Sequence, residues 1–110
     1  MKSFKKECRN RTEYINKRGG KHREDGPAVE WNNGDKEWWI NNKRHRTDGP
    51  AVEKYYIKEW FINGKRHRND GPAIESNSGL RSWYLNGVQY SEEQYDQELI
   101  KIKLNRLVNL

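Results

Sequence analysis

Apolar residues in this chain come in short bursts between polar stretches, and the bursts recur in a fixed order. A small pair, Ala28-Val29, Ala51-Val52 or Ala73-Ile74, is followed by polar residues and then by a Trp, a second ring and an aliphatic residue: Trp38-Trp39-Ile40, Trp60-Phe61-Ile62 and Trp83-Tyr84-Leu85. Runs this short, rich in aromatic and β-branched residues and bounded by Gly, Asn and Pro, predict strands. Ala28-Val29-Glu30-Trp31, then Asn32-Asn33-Gly34-Asp35, then Lys36 to Ile40 predicts a β-hairpin around an Asn-Gly turn. Ser78-Gly79 stands at the same place further on. Between them, the stretch holding Tyr55 and Tyr56 has no Gly and is one residue shorter, which predicts a distorted turn.

The bursts belong to a repeat of 22 to 23 residues built around His-Arg-x-Asp-Gly-Pro-Ala. Full units span 20–41, 42–63 and 64–86, with the motif starting at His22, His45 and His67. Tyr14-Ile15-Asn16 matches the end of a unit in front, and Gly87-Val88-Gln89-Tyr90 begins one behind, with Tyr90 in the histidine's place. The expected organisation is a basic arm over 1–13, a hairpin-repeat domain over 14–90 and a helix over 91–110. The fold class is mainly β: a meander of stacked antiparallel β-hairpins with a C-terminal α-helix.

Strand alternation places Trp38, Trp60 and Trp83, with Ile40, Ile62 and Leu85, on one face as a buried ladder. Trp39, Phe61 and Tyr84 fall on the other face, Tyr14 extends their row, and the row is either a second packing layer or a docking strip. The last twenty residues follow a helical grammar. Ser91-Glu92-Glu93-Gln94 is a capping box with acids in the first turn. At 100° per residue, Tyr95, Leu99, Ile102 and Leu110 share one side and can cap the sheet. Ile100, Leu104, Leu107 and Val108 share another, which is left over and can close a homo-oligomer; Glu92, Glu93, Asp96 and Glu98 disfavour a membrane.

Composition narrows this picture. Counting Ala, Val, Ile, Leu, Met, Phe, Trp, Cys and Gly, 38 of 110 residues are apolar, too few for a thick core, so the thirteen rings must carry much of the packing. Residues 1–23 hold nine Lys or Arg against two Glu, whereas 24–110 hold thirteen against fourteen acids. The net charge of +6 therefore resides in the N-terminal fifth, a feature of polyanion contacts and equally of a solvated end. Cys8 is alone, which excludes an internal disulfide and a paired-Cys zinc site. With no run resembling a signal peptide and no apolar stretch near the ~20 residues of a membrane span, a cytoplasmic protein is expected.

The repeated histidines invite a metal or catalytic reading that spacing opposes. Equivalent positions in successive hairpins lie two strands apart, roughly 10 Å, while zinc ligands each sit ~2.0–2.1 Å from one ion. No nucleophile recurs with them, and no Walker loop, dinucleotide fingerprint or repeated carboxylate pair is present. Neither an enzyme nor a cofactor is expected. His22, His45 and His67 with Arg23, Arg46 and Arg68 are expected to fix their turns, each Arg near Asp25, Asp48 or Asp70. Specific binding should sit where units differ or project: Lys21, Lys43, Arg44, Lys65 and Arg66 at the hairpin connections, the Trp39/Phe61/Tyr84 row beside them, and Tyr55 and Tyr56.

The motif, with its Trp-aromatic-aliphatic-Asn strand, resembles the Asp-Gly-Pro-Ala repeat proteins, distant relatives of MORN repeats found among small proteins of tailed bacteriophages and large DNA viruses. The resemblance covers roughly residues 14–90. It implies a twisted, mostly single-layer sheet used as a binding scaffold, in a phage accessory protein acting in the host cytoplasm. The leading expectation is a non-enzymatic protein that engages, and thereby inhibits, a host defence or regulatory protein. The alternatives are an anion binder that contacts nucleic acid or sequesters a nucleotide signal, and a structural oligomer.

Overall fold

The structure, a computed structural model, describes residues 2–109. In chain order its strands are β1 (Phe4–Glu7), β2 (Arg11–Ile15), β3 (Val29–Trp31), β4 (Lys36–Glu37), β5 (Trp39–Ile40), β6 (Lys43–Arg44) and β7 (Val52–Lys54). There follow β8 (Ile57–Glu59), β9 (Phe61–Ile62), β10 (Lys65–Arg66), β11 (Ile74–Ser76), β12 (Arg81–Leu85), β13 (Val88–Tyr90) and the helix α1 (Glu92–Val108). Nine strands form one antiparallel meander, β1-β2-β3-β4-β7-β8-β11-β12-β13, while β5-β6 and β9-β10 are separate two-stranded ribbons. The fold is mainly β, a meander of hairpins closed by a C-terminal helix.

Each unit builds two hairpins where one was expected. After the first hairpin the chain breaks its pairing at Trp38 or Trp60 and re-forms it in a second, smaller hairpin. In the third unit β12 runs through Trp83 unbroken and pairs with β11 at one end and β13 at the other. The second hairpins turn on Asn41-Asn42 (φ 47° and 64°), Asn63-Gly64 (49° and 80°) and Asn86-Gly87 (50° and 83°). Positive φ at both central residues is the type I′ turn that suits the strand twist, and Asn and Gly reach it most cheaply. Lys43-Arg44 and Lys65-Arg66, expected in connections, are therefore strands. The turn expected to be distorted is instead the tightest of the first turns, with Lys54 directly opposite Ile57 around Tyr55 and Tyr56.

The N-terminal region expected as an arm is a further unit without the motif. Phe4 pairs with Ile15 and Glu7 with Thr12 across β1 and β2, Glu13 pairs with Val29, and Ile15 bridges to Lys21 around a five-residue loop, 16–20. The sheet accordingly spans residues 4–90. Tyr14 also changes rows. Its N–H donates to the Ala28 carbonyl at 2.7 Å, as Trp38 does to Ala51 (2.7 Å) and Trp60 to Ala73 (2.8 Å). Tyr14 is thus the counterpart of Trp38 and Trp60, and the longer loop absorbs the one-residue offset.

The molecule is a slab 48 × 37 × 18 Å, thin as its composition requires. Apart from His22, at 1% exposure, its fully buried side chains are small: Ala28, Ala51 and Ala73 at 0%, Val29 and Val52 at 1%. The expected buried ladder is only half-buried at Trp38, Trp60 and Trp83, whereas Phe61 of the second row is buried in a cluster with Ala51 and Val52, Trp38 packing against it. In α1 the capping box is present, with Ser91 accepting from the Gln94 N–H and Gln94 accepting from that of Ser91. Tyr95 is buried, its hydroxyl donating to the Arg68 carbonyl and accepting from the Gly71 N–H, which seats the helix on the third motif. Leu99 and Ile102 are half-buried beside it; Leu110 lies outside the described residues. Ile100, Leu104, Leu107 and Val108 are exposed. Among the described residues no helix is long and apolar enough to cross a membrane.

Candidate functional site

The repeated motif is accounted for, residue by residue, by the fold. Arg46 donates through Nε to Asp48 at 2.9 Å and through Nη1 to the Pro50 carbonyl and Glu53, both at 3.0 Å. Arg23 and Arg68 repeat the pattern with Asp25, Pro27 and Glu30, and with Asp70, Pro72 and Glu75. Each guanidinium also lies over a ring: Arg23 over Tyr14 (3.9 Å), Arg46 over Trp38 (3.7 Å) and Arg68 over Trp60 (3.8 Å). The bond from Arg46 holds the Asp48 carboxyl below the ordinary carboxylate range. The Gly of the motif is there for room. A Cβ at Gly49 would stand 2.9 Å from Arg46 Cζ, and one at Gly26 3.1 Å from Arg23 Cζ. Neither is at positive φ, so close approach of the guanidinium, not a left-handed backbone, is what calls for glycine at these two positions.

The histidines fix the second turn, at the far end of their unit, rather than the motif loop in which they stand. His22 Nδ1 accepts from the Asn41 N–H at 2.9 Å, and His45 and His67 accept from Asn63 and Asn86 at 3.0 Å. An Nδ1 that accepts places the remaining ring proton of a neutral imidazole on Nε2. Burial pushes His67 below the usual histidine value, in keeping with a neutral ring. Among the described residues no three His, Cys, Asp or Glu side chains form a cluster able to hold a metal ion.

Beside the motif the structure assembles most of the candidate binding residues into one row. Lys21 lies over Trp39 at 5.1 Å; Arg44 lies between Trp39 (5.1 Å) and Phe61 (5.5 Å), and Arg66 between Phe61 (5.4 Å) and Tyr84 (5.7 Å). Cations and rings thus alternate along the second hairpins. The row is anchored from below: buried Glu37 accepts from Trp31 Nε1 (2.9 Å), Trp39 Nε1 (3.3 Å) and Arg44 (3.4 Å), and Glu59 accepts from Arg66 (3.0 Å). Phe61 is buried, Trp39 and Tyr84 are half-buried, and cations lie over all three rings, so the row packs as a layer along the second hairpins. Glu37 and Glu59 were not among the candidate residues; their place two residues before the second ring of each unit was the available signal.

Lys43 and Lys65 stand apart from the row, pairing with Ile40 and Ile62 across the second hairpins, at the edge of the slab where the Asn turns line up. Tyr55 and Tyr56 lie elsewhere, among the first turns. There Asn77 donates to the carbonyls of both, from its side chain to Tyr55 (2.9 Å) and its backbone to Tyr56 (3.0 Å). Tyr55 is 90% exposed and Tyr56 57%, with Leu80 at 52% on the neighbouring turn. A groove of about 360 Å³ runs beside Tyr55 and is lined by Lys54, Lys58 and Arg81 among others. Compared with models of protein families, with curated proteins and with solved structures, the chain matches none.

Proposed function

We propose that the protein is a non-enzymatic binding scaffold that engages another protein through the edge formed by its first turns. The observation that carries this reading is the exposure of Tyr55 and Tyr56 at the turn where the second unit departs from its neighbours. The other units turn on Asn32-Asn33-Gly34 and Asn77-Ser78-Gly79, so the sheet does not need rings there. Tyrosines are among the residues that dominate protein–protein hot spots, and they bring large contact area with few rotamers to freeze. The groove is lined by three cations, Lys54, Lys58 and Arg81, and one acid, Glu75, which Arg68 also holds, so its remaining positive charge favours a partner segment that is acidic as well as apolar. In the setting that the resemblance implies, the partner is a host defence or regulatory protein that is inhibited when bound.

Affinity capture from host lysate at 200 mM salt, quantified by mass spectrometry, tests this with wild type and the Tyr55→Ala/Tyr56→Ala variant. The expected result is a protein retained by wild type and reduced at least about tenfold by the variant, as loss of a hot spot of ~1.4 kcal/mol or more requires. The urea midpoint should stay put, since exposed substitutions change stability by about 0.5 kcal/mol or less. Equal retention by both proteins contradicts the reading.

A further inference from the structure

We infer that the opposite edge, where the Asn turns of the second hairpins line up, is a track for a nucleic-acid phosphate backbone, a surface independent of the tyrosine edge. The segments that build it, 14–23, 38–47, 60–69 and 83–91, contain no Asp or Glu. The main sheet is balanced instead. Glu30 faces Lys36, Lys36 faces Glu53, Glu53 faces Lys58, and Glu75 faces both Lys58 and Arg81 across the strands. Of the nearby acids, Asp25, Asp48 and Asp70 are each held by the arginine of their own motif, and Glu24 stands 3.7 Å from His22 Nε2. Positive charge is therefore left uncompensated along one edge of the slab.

That edge is ordered along its length. Lys17, Arg18, Lys43 and Lys65 are exposed, and among the described residues none has an acid within ion-pair distance. A Cβ at Gly64 would lie 3.6 Å from the Lys43 side chain, and one at Gly87 3.6 Å from that of Lys65. Each lysine stem thus lies across the next unit's turn, and the cations follow one another at the repeat spacing of roughly 10 Å. At the N-terminal end the 16–20 loop replaces the two-residue turn and brings Lys17 and Arg18 to an open basin of about 1030 Å³, with Lys2 also on its wall. Lys21, its ammonium over Trp39, ties the loop to the first Asn turn through hydrogen bonds of its backbone with Asn42.

Charges strung over three units fit a chain of phosphates better than one nucleotide, which calls for converging groups in an enclosed pocket. A membrane surface fits less well. Binding to one draws on apolar side chains as well as charge, and among the described residues Val88 and Phe4, the latter under the Lys2 ammonium, are the exposed large apolar residues at this edge, one at each end.

Fluorescence anisotropy with a labelled single strand of about 20 nucleotides, titrated between 50 and 200 mM salt, tests the inference. Five contacting cations (Lys17, Arg18, Lys21, Lys43, Lys65) predict a log–log salt slope of about −3.5, a loss of affinity of roughly 100-fold over that range. Lys43→Ala/Lys65→Ala should flatten the slope to about −2, and Lys17→Ala/Arg18→Ala should do the same from the loop. Lys54→Ala/Lys58→Ala, on the tyrosine edge, should leave it unchanged. Three results would overturn the inference: no binding at 50 mM salt, a slope that neither edge variant alters, or retention on phosphatidylserine vesicles by a protein that ignores the oligonucleotide. Because the tyrosine variant and the lysine variants lie on opposite edges, failure of one reading leaves the other standing.

Discussion

Replacing Phe61 with alanine should lower the unfolding free energy by about 3–5 kcal/mol, the range for a buried ring removed without refilling its space. Phe61 is 6% exposed and packs with Ala51, Val52 and Trp38, the guanidinium groups of Arg44 and Arg66 standing on either side of its ring. Alanines at 0% exposure cannot move in to close the cavity. Since domains are commonly stable by only about 5–15 kcal/mol, the variant should unfold at a much lower urea concentration or fail to accumulate folded. Urea unfolding followed by tryptophan fluorescence reads the difference. A change within about 0.5 kcal/mol would mean that the ring sits at the surface, and the second aromatic row would again be a docking strip.

The next largest effect is expected at Arg46, whose substitution by alanine should cost about 2–4 kcal/mol. The side chain is 20% exposed and bonds Asp48, the Pro50 carbonyl and Glu53 while covering Trp38 at 3.7 Å. Hydrogen bonds from a charged donor contribute about 1.5–3 kcal/mol each, not additively, and their loss leaves the acceptors without their partner. Arg46→Lys should recover only a minor part, because an ammonium cannot reproduce a planar fork that reaches two acceptors while stacking on a ring. The same urea series, with Arg44→Ala as the comparison, separates the motif from its surroundings. Arg44 is 37% exposed, and its ion pair with Glu37 spans 3.4 Å, so its loss should cost less. Equal costs at the two positions would remove Arg46 from the centre of the loop.

Much of this was legible in the chain, and the exceptions have physical causes. The period, the hairpins around Asn33-Gly34 and Ser78-Gly79, and the capping box at Ser91 follow from local chemistry that tertiary context did not override. Asn63-Gly64 and Asn86-Gly87 carry the same turn signature as Asn33-Gly34, yet the second hairpins were hidden because Asn41-Asn42 makes its type I′ turn without glycine. Pairing across the first strands β1 and β2 was masked by their largely polar sequence, with all four residues of β1 exposed. Alternation along the strands assumed one flat sheet. The break at Trp38 and Trp60 turns the second halves into separate ribbons, which buries Phe61 and leaves the tryptophans half-covered by arginine.

The binding candidates divided along the same line. Lys21, Arg44 and Arg66 were legible as neighbours of Trp39, Phe61 and Tyr84, but the buried Glu37 and the half-buried Glu59 beneath them were not. Their place two residues before the second ring marks the two glutamates, but that spacing alone does not say that they will meet an indole and a guanidinium. Tyr55 and Tyr56 were conspicuous because they replace a glycine turn, and their exposure follows from the tightness of that turn.

All of this rests on the repeated motif being scaffold, with binding placed beside it. The most direct test is a long-range ¹H–¹⁵N spectrum of the three imidazoles at neutral pH, where each ring nitrogen reports its protonation. His22, His45 and His67 should all be neutral with the proton on Nε2 and Nδ1 accepting, and His67 should titrate below the ordinary value of about 6.5. Imidazoles that average between tautomers, carry the proton on Nδ1, or shift together on adding zinc would contradict the account and return the histidines to the list of functional groups.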